Sequence, residues 1–259
     1  MSDAVTVVLT LIAGFFTGVL SGMFGVGGAV ISTPAIPALG ATPLQAVGST
    51  LPSIIPGAAA GSIRYEREGM IDHRVAWRTG VAGMAFAALG ALASKAVPGK
   101  GHIQMILTAL LLGWFAFRTA RGSDPEVAPA DHDLHRNLWL LVVIGAMAGS
   151  LSGFLGVGGG IIMVPAFTNW VGLPLKRAIA TSLVCVGLVS IPGKITHQLL
   201  GDIDWLFALP LMLAAIPGAR VGAHLAIRAS DRTLRITVGT VLGTIAVVYG
   251  VVELVALLS

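Results

Sequence analysis

The stretch Gly149–Ala166, GSLSGFLGVGGGIIMVPA, has a near copy at Gly18–Ala35, GVLSGMFGVGGAVISTPA, and the two match at 11 of 18 positions 131 residues apart. Such agreement marks a tandem duplication. In each copy an apolar helix pattern runs to Ser21 or Ser152, meets a glycine cluster, and then resumes. A glycine inside a helix costs about 1 kcal/mol relative to alanine. Several glycines within about seven residues therefore mean that the backbone leaves the helix there.

The chain around this motif is long apolar runs with charge confined to short patches. Mean hydropathy is +0.89 and only 11% of residues are charged, against about 25% in soluble domains. That pattern predicts an all-α polytopic membrane protein, and continuous rather than alternating runs exclude a β-barrel. The basic pI fits loop cations better than nucleic-acid binding. The single cysteine, Cys185, lies inside an apolar run and reads as a small buried hydrophobe. No cofactor or metal motif is present. The first apolar run lacks a basic leader and a small-residue cleavage site, so it reads as a retained span.

Apolar runs fall at 4–24, 28–40, 44–63, 75–96, 103–119, 137–155, 159–172, 177–199, 204–227 and 233–257. The reading is two homologous halves, each of four long spans plus one short glycine-broken segment, eight to ten spans in all. Residues 1–120 form the first transmembrane repeat, 121–136 a cytoplasmic linker, and 137–259 the second repeat. The repeat extends past the motif, with Gln45–Leu51 matching Arg177–Leu183.

The second and seventh runs are short against the ~20 residues of a straight spanning helix. If they do not cross, the halves are parallel; if they do, the halves are inverted. When all ten cross, one face receives Arg64, Arg67, Arg74, Arg78, Arg118, Arg121, Arg136, Lys176, Arg177, Arg228, Arg232 and Arg235. The other receives Lys95, Lys100 and Lys194. The eight-span arrangement divides the cations almost evenly, so the positive-inside rule favours inverted halves.

Paired, glycine-interrupted short segments in two halves point to a transporter's binding site. Freed N–H groups at the restart of each helix, with its positive dipole end, suit an anion. Ser21, Gly22, Gly25, Gly27 and Gly28 would form one cradle; Ser152, Gly153, Gly156, Gly158, Gly159 and Gly160 the other. The competing reading of these glycines is close helix packing. Ser49–Thr50 and Thr181–Ser182 form a second duplicated hydroxyl pair, either anion donors or hydroxyls bonded to their own helix carbonyls. Arg220 has no counterpart in the first half; it either attracts an anion or snorkels to the basic face. His197 and His224 are lone helical histidines. No carboxylate is expected at the centre of a span, which suits export driven by an inside-negative potential; uptake would need a carboxylate or a histidine.

The duplicated Leu20–Ala29 and Leu151–Gly160, the ATSL at Ala180–Leu183, and GARVGA at Gly218–Ala223 followed by Leu234–Arg235 resemble the sulfite exporter TauE/SafE family, the four-segment-repeat sulfonate uptake/export transporters. The resemblance covers essentially the whole chain. It implies inner-membrane transport of sulfite, organosulfonates or related oxyanions, and a description as eight spans. The first copy departs from the pattern at Ala29, where the second has Gly160. The expected function is a secondary transporter working by alternating access in a bacterial inner membrane, with export favoured. A passive anion channel and an uptake permease are the alternatives. An intramembrane serine protease, with Ser21 or Ser152 and His197 or His224, is disfavoured because the serines are duplicated and the histidines are not. Expected partners are a small anionic substrate and the lipid bilayer, not nucleic acid; a homo-oligomer is left open.

Overall fold

The apolar runs become helices whose starts are set by local polar groups. The computed structural model describes residues 3–27, 29–96, 102–121 and 137–258. Within them the helices are α1 (Asp3–Phe24), α2 (Ala29–Ala38), α3 (Pro43–Glu66), α4 (His73–Ala96), α5 (His102–Arg121), α6 (Leu138–Leu155), α7 (Gly160–Asn169), α8 (Leu175–Leu199), α9 (Trp205–Arg228) and α10 (Asp231–Leu258). No strand occurs among the described residues. Residues 122–136, most of the expected linker, lie outside the described set.

Helix α3 starts with a capping box: the Gln45 N–H donates to Thr42 Oγ1 at 3.2 Å, and the Thr42 N–H to Gln45 Oε1 at 2.9 Å. Helices α4 and α9 start at matched aspartates. Asp72 Oδ1 accepts from the Arg74 and Val75 N–H groups, each at 3.1 Å. Asp204 Oδ1 accepts from the Leu206 N–H at 2.9 Å. Five helical segments are long and apolar enough to cross a membrane: Ala4–Phe24, His73–Ser94, Leu138–Leu155, Leu175–Leu199 and Trp205–Arg228. Gly160–Asn169 is apolar but short.

Lipid tails give apolar helices no hydrophobic reason to associate, so close backbone approach carries the packing. Two glycine ladders supply it. A methyl group on Gly14 would meet Leu211, on Gly18 the Ala215 carbonyl at 2.5 Å, and on Gly22 the Ala219 carbonyl. In the second half Gly145 meets Thr79, Gly149 meets Gly83, and Gly153 meets Ala87. Each ladder steps by four residues along both helices, so α1 runs parallel to α9 and α6 parallel to α4. The first helix of each half thus packs on the fourth helix of the other.

Other registers extend the pattern. Gly48 approaches Asp202 and Gly57 approaches Ala215, so α3 runs with α9. Asp72 meets Thr181 and Ala76 meets Cys185, so α8 runs with α4. Leu51 approaches Gly193 and Ala58 approaches Gly187, so α3 and α8 are antiparallel. By these registers α3 runs opposite to α8, and α4 opposite to α9. Helices α5 and α10 pair antiparallel, with Gly113 near Ala246 and Gly243 near Ala116.

The buried centre joins Leu51, Ile54 and Ala58 of α3 with Leu183, Val186 and Val189 of α8. Large apolar side chains such as Leu110, Trp139, Leu213 and Val247 point outward, as lipid-facing positions require. Gly22→Val and Gly153→Val push a side chain into partner backbone that cannot yield. Each is expected to lower the thermal midpoint in detergent, by about 3 kcal/mol on the scale of severe overpacking. Gly193→Ala, whose added carbon meets Leu51 side-chain atoms at 3.6 and 3.7 Å and the Gly153 Cα at 3.9 Å, all ordinary contacts, is expected to leave the midpoint unchanged or raised.

Candidate functional site

The two glycine breaks meet at the centre of the molecule. Each preceding helix ends on a left-handed glycine: Gly25 (φ 65°) and Gly156 (φ 71°), positions that a side chain would strain. Their N–H groups close the last turns onto the Ser21 and Ser152 carbonyls at 2.9 and 2.8 Å. Beyond them Gly27 and Gly158 also have positive φ, 85° and 89°. They stand against each other, since a methyl on either would come within 3.1 Å of the other's Cα. Val186 flanks both, and Ile54 flanks Gly158. Gly160 lies against the Gly25 carbonyl and Val26. Gly159, left-handed at φ 73°, begins α7 against the Ala148 carbonyl. Gly28 lies outside the described residues.

The duplicated hydroxyls hold this crossing in place. Thr50 Oγ1 donates to the Gly156 carbonyl at 3.3 Å and shares its own-helix Val47 carbonyl at 3.0 Å. Ser182 Oγ donates to the Gly25 carbonyl at 3.0 Å and to Ile179 O at 2.9 Å. Each half's third helix thus tethers the other half's break. Ser49 Oγ accepts from the Asp204 N–H at 2.8 Å, and Thr181 Oγ1 from the Asp72 N–H at 3.0 Å. Of these four hydroxyls, expected as anion donors or as bonded within their own helices, Thr50 and Ser182 do bond within their helices, and all four also bond between segments.

Ser21 and Ser152 differ. Their hydroxyls are buried, 2% and 0% exposed, and have no hydrogen-bond partner among the described residues. A buried polar group left unpaired costs about 1–3 kcal/mol, and here the same orphan occurs twice at repeat-related positions. The N–H groups of Gly27, Gly158 and Gly159 likewise find no backbone acceptor among the described residues. These groups belong to the last turn before each break and to the breaks themselves.

Arg220 does not join them. It lies on the exposed face of α9, while Gly218, Ala219, Gly222 and Ala223 face inward. Burial distinguishes it from the others, as an arginine beside a GxxxG-type face snorkels outward. His224 is half-buried on α9. His197 is fully buried, and its ring contacts Asp202 and the Gly153 carbonyl rather than a serine, so the nucleophile–base contact of a serine protease is not formed there. Sequence reasoning passed over Asp202, and over Tyr65, whose O–H donates to the Gly22 carbonyl at 2.7 Å. The signal was the second copy of a turn, Gly69–Met70–Ile71–Asp72 against Gly201–Asp202–Ile203–Asp204.

The model of the family described as sulfite exporter TauE/SafE matches residues 10–249. The chain belongs to that family. Among curated relatives, the probable membrane transporter protein YunE of Bacillus subtilis is 27% identical, over 90% of this chain and 92% of its own. A probable membrane transporter protein of Xylella fastidiosa is 26% identical over 93% and 94%, and YjnA of Bacillus subtilis is 24% identical over 90% and 95%. No solved structure matches. This TauE/SafE chain is therefore a membrane transporter with a small-molecule substrate, embedded in a lipid bilayer.

Thr50→Val and Ser182→Ala each delete one tether between the halves. Each is expected to lower the thermal midpoint by about 1 kcal/mol equivalent, and together by more than the sum if the crossing acts as one unit. A scanning-calorimetry double-mutant cycle reads this directly.

Proposed function

We propose that the chain is a secondary transporter of small sulfur-containing oxyanions, such as sulfite or organosulfonates, working by alternating access. The observation that carries this reading is the pair of orphan buried hydroxyls, Ser21 and Ser152, beside unpaired amides at the crossing of the breaks. Hydroxyls and N–H groups with hydrogens to donate suit an anion, which has acceptors alone. Tetrahedral and pyramidal oxyanions fit it because several oxygens can be engaged from both halves at once.

The helix registers support halves inserted in opposite senses, with residues 1–120 and 137–259 as the repeats. Gly27 and Gly158 lie beside Ile54 and Val186, mid-length in α3 and α8, which supports a site near the bilayer midplane. The parallel course of α1 and α3 requires the chain from Gly25 to Thr42 to return across the molecule. That supports counting α2 and α7, each with its extended break, as crossings. In a bacterial inner membrane the potential would then favour anion export.

The test is counterflow in proteoliposomes with sulfite, thiosulfate, methanesulfonate and acetate. Exchange-stimulated uptake of a sulfur oxyanion supports the reading; uptake without exchange indicates a channel, and acetate preference removes the substrate class. Ser21→Ala with Ser152→Ala removes hydroxyls that make no internal bond, so the thermal midpoint should hold or rise. Anion affinity should fall roughly tenfold or more, as expected for two lost donors to a charged group. Arg220→Gln, on the exposed face, should leave affinity unchanged in the same assay.

A further inference from the structure

We propose that a cleft between the start of α4 and α8 holds the headgroup of an anionic phospholipid, with its phosphate gripped by Arg74 and Arg78. The cleft has a volume of about 460 Å³, with His73, Arg74, Trp77 and Arg78 on one side and Val184 of α8 on the other. That volume is within the usual range of small-ligand sites. Behind the cleft the seam between the two helices is closed. The Asp72 N–H donates to Thr181 Oγ1 at 3.0 Å, and the Cys185 S–H to the Ala76 carbonyl at 3.3 Å.

The two arginines stand one helical turn apart, so their Cβ atoms are about 5–6 Å from each other and both can reach one phosphate. A guanidinium fork matches phosphate oxygens in pairs. Both residues are exposed, and neither forms an ion pair among the described residues. The carboxylates nearby have other partners. Glu66 Oε1 lies 3.1 Å from His73 Nε2, and Glu68 pairs with Arg64 at 2.7 Å. Asp72 Oδ1 accepts from the Arg74 and Val75 N–H groups. Those amides are therefore occupied, and the site consists of side chains rather than of a bare helix terminus.

Position in the fold selects a lipid over a free anion. Residues His73–Ser94 are long and apolar enough to cross a membrane, so the arginines lie in the first two turns of a span, at headgroup level. A cation inside a span is costly unless it reaches water or an anion. Trp77 is 64% exposed, and an amphipathic ring at the end of a span marks the same level. Val184 adds an apolar wall for the start of an acyl chain. A free phosphate would use the arginines and gain nothing from Trp77 or Val184. Basic clefts between spanning helices recognise acidic lipid headgroups in this way.

The repeat shows that the fold does not require these cations. Asp72 corresponds to Asp204, and counting on from there Leu206 stands for Arg74, Leu209 for Trp77 and Pro210 for Arg78. The Asp204 N–H donates to Ser49 on α3 as the Asp72 N–H donates to Thr181 on α8. The same seam is thus built at the other end of the molecule from apolar residues. Topology alone would be served by arginines in the loops, and does not call for two within a span beside a cleft.

The test uses the full chain in a neutral detergent, with phosphatidylglycerol, phosphatidylcholine of the same acyl chains, or inorganic phosphate added. A ligand that binds only the folded state raises the thermal midpoint. Phosphatidylglycerol should raise it, and Arg74→Gln/Arg78→Gln should need roughly tenfold more of that lipid for half the effect, as for two lost charged contacts. Arg67→Gln/Arg232→Gln removes the same charge from exposed positions at the same end, and should stay within about twofold of wild type. Arg74→Lys/Arg78→Lys keeps the charge that sets topology but loses the fork, and should need about threefold more lipid. Equal effects of the two lipids, equal losses in the two glutamine variants, or a wild-type response in either Arg74/Arg78 variant overturns the site. Stabilisation by inorganic phosphate matching that by phosphatidylglycerol, and lost in Arg74→Gln/Arg78→Gln, overturns the lipid and makes the occupant a free oxyanion.

Discussion

At bilayer depth no water is available for a peptide group that has left its helix, so every such group must find a partner in the protein or a ligand. The glycine breaks depend on this constraint more than on any packing contact. Thr50 and Ser182 meet it for the Gly156 and Gly25 carbonyls by reaching across from the opposite half. Two of the break carbonyls are thus satisfied, while the N–H groups of Gly27, Gly158 and Gly159 find no backbone acceptor among the described residues.

Close backbone approach is the second requirement, and the two are linked. The ladders Gly14–Gly18–Gly22 and Gly145–Gly149–Gly153 bring α1 onto α9 and α6 onto α4. They end at the residues whose carbonyls Tyr65 and His197 cap. The last rung of each ladder is therefore also the first element of each break, so packing and site share one residue per half, Gly22 and Gly153.

Much of this was legible in the sequence, because duplication exposes what a single copy hides. The helix positions followed from apolar runs, and the breaks from glycine clusters that no helix tolerates. The roles within the site were less legible. Ser49, Thr50, Thr181 and Ser182 were open between anion donors and own-helix bonds, because their cross-segment partners, acceptors for Thr50 and Ser182 and donors for Ser49 and Thr181, lie more than a hundred residues away in sequence. Arg220 was open between attracting an anion and snorkelling because its depth along α9 was readable but its angular position was not. Asp202 was passed over as a loop acid, since only the folded turn places it under His197. The family match defines the chain as a TauE/SafE transporter, while the chemistry of the centre rests on its own geometry.

The exchanged packing has a consequence for biogenesis. Gly22 and its partner Ala219 are separated by 197 positions, while Gly83 and Gly149 are separated by 66. At roughly 5–20 residues per second, α1 enters the bilayer about 10–40 seconds before α9 is made. During that interval its glycine face meets lipid alone, whereas the α4–α6 pair can already close. The two pseudo-equivalent interfaces are thus assembled in a fixed temporal order, the α4–α6 contact before the α1–α9 contact.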